Sequence, residues 1–340
     1  MKFKINKRTL NYYLEANIPN FKDLKTIKKF NDGQSNPTFK IEATSGNYVL
    51  RQKPIGNTLK SAHAVDREFR VLKALAKTEV PVAPVFHLCK DEDLIGSIFY
   101  IMGFVEGTVF WDPALPNINS NARTEFYMEM NRILANIHKI DINSARLNDF
   151  GKSGNYYDRQ IKRWISQYLK SETSSIRSMN QLMPWLTNNV PDDDGLVCLV
   201  HGDYRLDNLI FVNNEPKVAA VLDWELSTLG HPFSDLAYQC MQLRMPKMGT
   251  LRGLAGKDRR ALCIPSEKEY VSNYCKKMNI KKIKNWNFYL VFSFFRLAAI
   301  LQGIAKRASE GTATNKKASQ MAKFVAPLAD EAIKILENDN

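Results

Sequence analysis

Residues 199–211 read Leu199-Val200-His201-Gly202-Asp203-Tyr204-Arg205-Leu206-Asp207-Asn208-Leu209-Ile210-Phe211, and after a turn the chain continues Val221-Leu222-Asp223-Trp224-Glu225. An apolar run over 196–200 reads as a buried strand that delivers the chain to a polar loop presenting Asp203. Asn208 closes that loop before a second strand over 209–212. The polar turn Asn213-Asn214-Glu215-Pro216 reverses the chain, and a third strand over 217–222 ends in Asp223, next to Asn208. Each of these polar residues alone reads as a solvated turn residue or helix cap. Three of them in this order, each at the end of an apolar strand, form a set with one chemical use. A carboxylate, Asp203, can orient and deprotonate a hydroxyl, while Asn208 and Asp223 offer hard oxygen ligands to Mg2+ on a nucleotide.

A base five residues ahead of one metal ligand, with the second ligand across a hairpin, matches the catalytic loop and metal-binding Asp of eukaryotic-type kinases. Gly202 in place of the protein kinases' Arg, and Trp224 in place of their Phe, point elsewhere in that superfamily. The pattern resembles the aminoglycoside phosphotransferase and choline kinase-like enzymes. The resemblance implies an α+β, bilobal protein kinase-like fold with a small, mainly antiparallel β lobe (1–105) that binds nucleotide. A larger, mainly helical lobe (106–340) would carry catalysis and the acceptor. His201 reads as a loop pin, because Asp203 already fills the base role. Arg205 has two readings: a contact to the transferred phosphate, or a salt bridge on the loop surface.

The first hundred residues offer the remaining parts. Gly33, Gln34, Ser35 and Asn36 lie between two strand-like runs, where small residues let backbone N–H groups reach phosphates; an ordinary hairpin turn is the plain alternative. The next strand, 47–51, ends in Arg51, the expected phosphate contact, with Lys53 in reserve on the same strand face. Residues 61–77 carry helical apolar spacing and include Glu68, which matches the kinase helix Glu that pairs with that basic residue; a solvated helix Glu is the other reading. A strand over 97–105 runs into the lobe connection, with Met102 behind an adenine and Gly103 to Val105 offering it backbone groups. ATP rather than GTP is the default.

Beyond residue 106 helical spacing recurs over 123–139, 156–171, 233–243, 267–277 and 285–307. Ser266 and Glu269 fit a capping box, and Asp235 falls where related kinases brace the catalytic loop. Asp223 to Pro232, Gly253-Leu254-Ala255-Gly256, Ile264-Pro265-Ser266-Glu267 and Phe295 to Gly303 are similar to one subgroup, the phosphotransferase domain that some organisms fuse to an acyl-CoA dehydrogenase. That resemblance implies phosphorylation of the hydroxyl of a hydroxy fatty acid or its CoA thioester. No dehydrogenase domain follows here, so the expected functional link is to a separate acyl-CoA dehydrogenase. Arg296 and Arg307, 11 positions apart on one helix face, are the candidate anion contacts for the acceptor; Arg296 could equally pair with Asp235 or Glu225. A basic group, Arg244, Lys247, Arg252, Lys257, Arg259 and Arg260, reads either as a phosphate clamp or as a solvated loop.

Composition bounds the rest. The chain has 340 residues, 44% of them hydrophobic, enough for a large core. Its net charge of +13 comes with no arginine-rich tail, zinc module or aromatic-basic motif, so no nucleic acid is expected; the field favours a small anionic acceptor. An aminoglycoside or other cationic alcohol would want an acidic pocket, and a silent nucleotide-binding module would not need an intact base. The five cysteines form no metal-type pair and no even disulfide set, and the start lacks a signal-type apolar core, so a cytoplasmic setting is expected. The apolar segment 288–304 contains Ser293, Arg296 and Gln302 and reads as a buried helix, not a membrane span.

Overall fold

A computed structural model describes residues 5–30, 36–55, 64–213, 215–249, 251–311 and 318–338. The first helix, α1 (Lys7–Asn17), is capped by the Asn6 side chain, which accepts from the N–H groups of Arg8 and Thr9. Five strands follow: β1 (Leu24–Lys29), β2 (Thr38–Ala43), β3 (Gly46–Gln52), β4 (Val85–Cys89) and β5 (Phe99–Gly103). They form one sheet in the order β1-β2-β3-β5-β4, every neighbouring pair antiparallel. The helix α2 (Val65–Leu75) interrupts the strands between β3 and β4 and packs on β4 and β5.

Strand alternation separates two cores. On β5, Phe99 and Ile101 join a cluster with Leu10 and Leu14 of α1, whereas Tyr100 between them joins Val71, Leu72 and Leu75 of α2 in the main core. The sheet is thus apolar on both faces. Each fully buried leucine adds about 1.5–3 kcal/mol on transfer from water, before the entropy of ordering the chain is counted.

The remainder is mainly helical: α3 (Ser120–His138), α4 (Tyr156–Ser171), α5 (Arg177–Asn188), α6 (Phe233–Arg244), α7 (Glu267–Met278), α8 (Trp286–Ser309) and α9 (Val325–Glu337). The capping box at the start of α7 forms as its sequence predicts, with Ser266 and Glu269 satisfying each other's backbone N–H groups. The axis of this region is α8, which contacts α4, α5, α6 and α9. Among the described residues it is the one helix long and apolar enough to cross a membrane, and 83% of that apolar window is buried in the core.

Short strands are set into this helical body. β6 (Thr108–Val109), β8 (Leu209–Phe211) and β9 (Val218–Val221) pair in the order β6-β8-β9, and β7 (Cys198–Val200) pairs with β10 (Thr228–Gly230). The loop 201–208 therefore hangs between β7 and β8, each tied to a different small sheet. Its ends cannot drift.

Candidate active site

The loop 201–208 is fixed first through its backbone. The N–H groups of His201 and Gly202 both donate to the buried carboxylate of Asp235 on α6, at 2.6 and 2.8 Å. Burial alone would raise the Asp235 pKa, but hydrogen bonds from His138 and from the loop outweigh it and hold the carboxyl below its usual range. His201 pins the loop from the other side. Its Nδ1 accepts the Asp203 N–H at 3.1 Å, which leaves Nε2 as the donor to Leu222 O at 2.7 Å. Gly202 sits at φ +84, and a Cβ there would lie 2.6 Å from Leu226 O, so glycine is required by both torsion and space.

The three oxygen-bearing side chains converge. Asn208 donates from Nδ2 to the Asp203 backbone oxygen at 2.8 Å and to its Oδ2 at 2.9 Å. The Leu222 N–H donates to Asn208 O at 2.8 Å, and this bond sets Asp223 beside Asn208. Asp223 adopts a left-handed backbone, φ 62, as the chain leaves β9 and turns into a short 3-10 turn. With its amide nitrogen committed to Asp203, Asn208 turns its carbonyl oxygen the other way. That oxygen and the Asp223 carboxylate make a hard donor pair that suits Mg2+, which takes one or two protein ligands and completes its shell with phosphates and water. No group of three or more His, Cys, Asp or Glu side chains arranged for a metal occurs among the described residues.

The sheet contributes Arg51. Its register opposite Thr38 on β2 and Tyr100 on β5 places it near the end of β3, facing α2. Arg51 Nε meets Glu68 Oε2 at 2.7 Å, Nη2 meets Asp223 Oδ1 at 2.6 Å, and Glu225 Oε2 stands 3.9 Å away. Burial opposes the charge of Arg51, yet the surrounding carboxylates hold the guanidinium more firmly protonated than usual. Glu68, fully enclosed, is pushed up by burial more than Arg51 can pull it down. Asn36 is buried and donates to Glu225 Oε2 at 3.4 Å. Gly33, Gln34 and Ser35 lie outside the described residues.

Other expected site residues fall as follows. Met102 and Gly103 close β5; the Gly103 N–H donates to Pro84 O at 2.8 Å and the Phe104 N–H to Asn47 O at 3.2 Å, so Val105 is the first residue past these pairings. Lys53 lies beyond the end of β3, with its N–H on Ile98 O. Arg205 lies between two carboxylates, Nη2 at 2.9 Å from Asp207 and Nε at 3.5 Å from Asp203, which is the salt-bridge arrangement. Arg296 is buried on α8 with Nη2 on Gly202 O. Arg307 is exposed, and 11 residues of helix separate the two by about 16 Å along the axis. In the basic loop, Arg244 makes a two-point pair with Glu267 at 2.7 and 2.8 Å, and Arg259 donates to Leu243 O.

Two residues at the site escaped the sequence reading. Asp207 is raised by burial and by the nearby Asp203 and Asp223, against the pull of Arg205. Tyr238, one helical turn after Asp235 on α6, is buried with its hydroxyl facing the Asp203 carboxylate, and burial keeps the phenol protonated. The i, i+3 spacing from Asp235 was the available signal.

Residues 26–261 match the family described as "Phosphotransferase enzyme family". Mouse acyl-CoA dehydrogenase family member 10 is 47% identical over 307 residues, covering 90% of this chain and 29% of its own length. Mouse family member 11 is 39% identical over 337 residues, covering 98% and 43%. The chain thus spans less than half the length of these relatives. A crystal structure from Ralstonia eutropha, provisionally named an aminoglycoside phosphotransferase, superposes with a TM-score of 0.89 at 45% identity, covering 98% of this chain and 99% of that one. With the fold, the site and these likenesses in agreement, the chain belongs to the phosphotransferase enzyme family.

Proposed function

We propose that the chain transfers the γ-phosphate of ATP, with Mg2+, to the hydroxyl of a hydroxy fatty acid or its CoA thioester. The observation that carries the catalytic part is the meeting of Asp203, Asn208, Asp223 and Arg51 at the junction of the sheet and the helical body. In this reading Asp203 orients and deprotonates the acceptor hydroxyl. Asn208 and Asp223 would hold the metal, whose part when bound is to neutralise charge on the phosphates. Arg51, positioned by Glu68, and Asn36 face those phosphates, Arg205 adds positive charge beside the base, and Met102 to Val105 border the adenine. The transfer is direct, since positioning and charge neutralisation suffice for it.

The acyl acceptor is supported by relatives whose names are acyl-CoA dehydrogenase family members 10 and 11, aligned here over nine-tenths or more of the chain. A net charge of +13 also favours an anionic acceptor over a polycation. An acyl-CoA dehydrogenase is the proposed consumer of the product. All five cysteines are free thiols, which suits the reducing cytoplasm proposed as the setting. The test is ATP consumption measured across hydroxyacyl-CoAs, free hydroxy acids and aminoglycosides. Stimulation by the hydroxyacyl compounds supports the proposal; stimulation by aminoglycosides alone overturns the acceptor, and no stimulation by any of them overturns the activity.

A further inference from the structure

We propose that Arg296 is a positioning residue for catalysis, which sets the angle of Asp203 by gripping the backbone carbonyl of Gly202, and is not a contact to the acceptor. The proposal rests on Asp203 being the base. Arg296 is 6% exposed, its Nη2 donates to Gly202 O, and its guanidinium carbon stands 5.6 Å from the Trp164 ring and 5.2 Å from the Tyr238 ring. Its Nε has no partner and is sealed from solvent, and no carboxylate forms an ion pair with it among the described residues.

A guanidinium buried without a counter-ion is costly, and two aromatic faces offset only part of that cost. An apolar side chain would fill the space more cheaply. What an apolar side chain lacks is a donor for Gly202 O. Gly202 is held at both of its backbone polar groups, the N–H by Asp235 and the C=O by Arg296, immediately before Asp203. The holders come from three helices: Trp164 from α4, Asp235 and Tyr238 from α6, Arg296 from α8. Tyr238 has a double part, one face against the Arg296 cation and its hydroxyl toward Asp203. An anionic acceptor would have to part these packed helices to reach Nε, whereas the grip on the loop is already made.

The test uses the full chain with Arg296→Lys, which keeps the charge and loses the planar fork, and Arg296→Ala. Hydrogen exchange is read over residues 199–209, the affinity for Mg-AMP-PNP by calorimetry, and steady-state kinetics with whichever acceptor the wild type uses. Exchange in Arg296→Lys should quicken within 199–209 and not elsewhere, with nucleotide affinity and acceptor KM unchanged and kcat down by about tenfold or more, in line with the cost of a small misplacement. Guanidinium ion at non-denaturing concentration should restore part of kcat to Arg296→Ala. A rise in acceptor KM with kcat intact overturns the proposal in favour of an acceptor clamp. Faster exchange across the whole chain, or failure of both variants to fold, overturns it in favour of a plain core role. If no acceptor is found, the Proposed function fails by itself, and the exchange pattern still decides this inference.

Discussion

Arg51 and Asp223, 172 residues apart in sequence, meet at 2.6 Å and join the antiparallel sheet directly to the hairpin that ends in the candidate metal ligand. The same guanidinium holds Glu68, which is 2% exposed. Removing the cation leaves a buried carboxylate without its counter-ion. Arg51→Ala should therefore lower stability by about 3–5 kcal/mol in urea unfolding, the range for breaking a buried pair from one side. Adding Glu68→Gln should recover much of that loss, because the stranded charge goes with it. A double variant no more stable than Arg51→Ala would show that the pair is not what the sheet loses.

Asp203 and Asp223 should separate in their effects. Asp203→Asn removes a proton acceptor and leaves the metal ligands, so turnover should fall about 10²–10⁴-fold while Mg-AMP-PNP binds as before. Asp223→Ala should weaken nucleotide binding in the presence of Mg2+ and much less in its absence, as read by calorimetry with and without EDTA. Near-normal turnover in Asp203→Asn would remove it from the base role.

Much of this arrangement was legible because the catalytic loop is local in sequence. Asp203, Asn208 and Asp223 are placed by three short strands and one turn, and each strand announces itself as an apolar run bounded by a polar residue. The helix at 156–171 was legible to the residue, since its apolar face is buried at regular spacing. What was not legible depends on packing between distant segments. Arg296 read either as an anion contact or as the partner of Asp235 or Glu225, because its helix face was known and its neighbours were not; the position of Gly202 O cannot be deduced from the helix alone. The helix α5 carries Pro184, which argues locally against a helix, and α1 buries only Leu10 and Leu14. By contrast α9 repeats buried Val325, Leu328, Ala329, Ala332 and Ile335 at helical spacing, a signal the sequence reading passed over.

Gly202→Ala should damage the site from the backbone. The residue's φ of +84 costs a side-chain-bearing residue about 1–3 kcal/mol, and its Cβ would stand 2.6 Å from Leu226 O, which is backbone and gives little. Thermal unfolding should shift down, and turnover should fall further than stability does, because Asp203 is the next residue. A variant with unchanged melting and unchanged kcat would mean the loop relaxes without moving the base.

His231 supplies a pH test away from the catalytic residues. It is packed against Phe233 and Tyr289, ring centroids at 4.7 and 5.8 Å, with Asp194 at 3.3 Å as its ion-pair partner and Asp193 adding a weaker attraction. Burial lowers its pKa below 6.5, and the attraction of Asp194 only partly offsets this. The unfolded chain therefore binds the proton more readily than the folded one. Stability from this residue is fully present above pH 6.5 and is lost as pH falls from there through the lower folded value. Urea unfolding between about pH 7.5 and pH 5 should show declining stability, with part of the decline above the range where ordinary carboxylates begin to protonate. His231→Asn, which keeps an acceptor for the Phe233 N–H and cannot take up a proton, should flatten the upper part of that decline even if it lowers stability throughout. An unaltered slope in the variant would assign the acid sensitivity to other groups and leave His231 as packing alone.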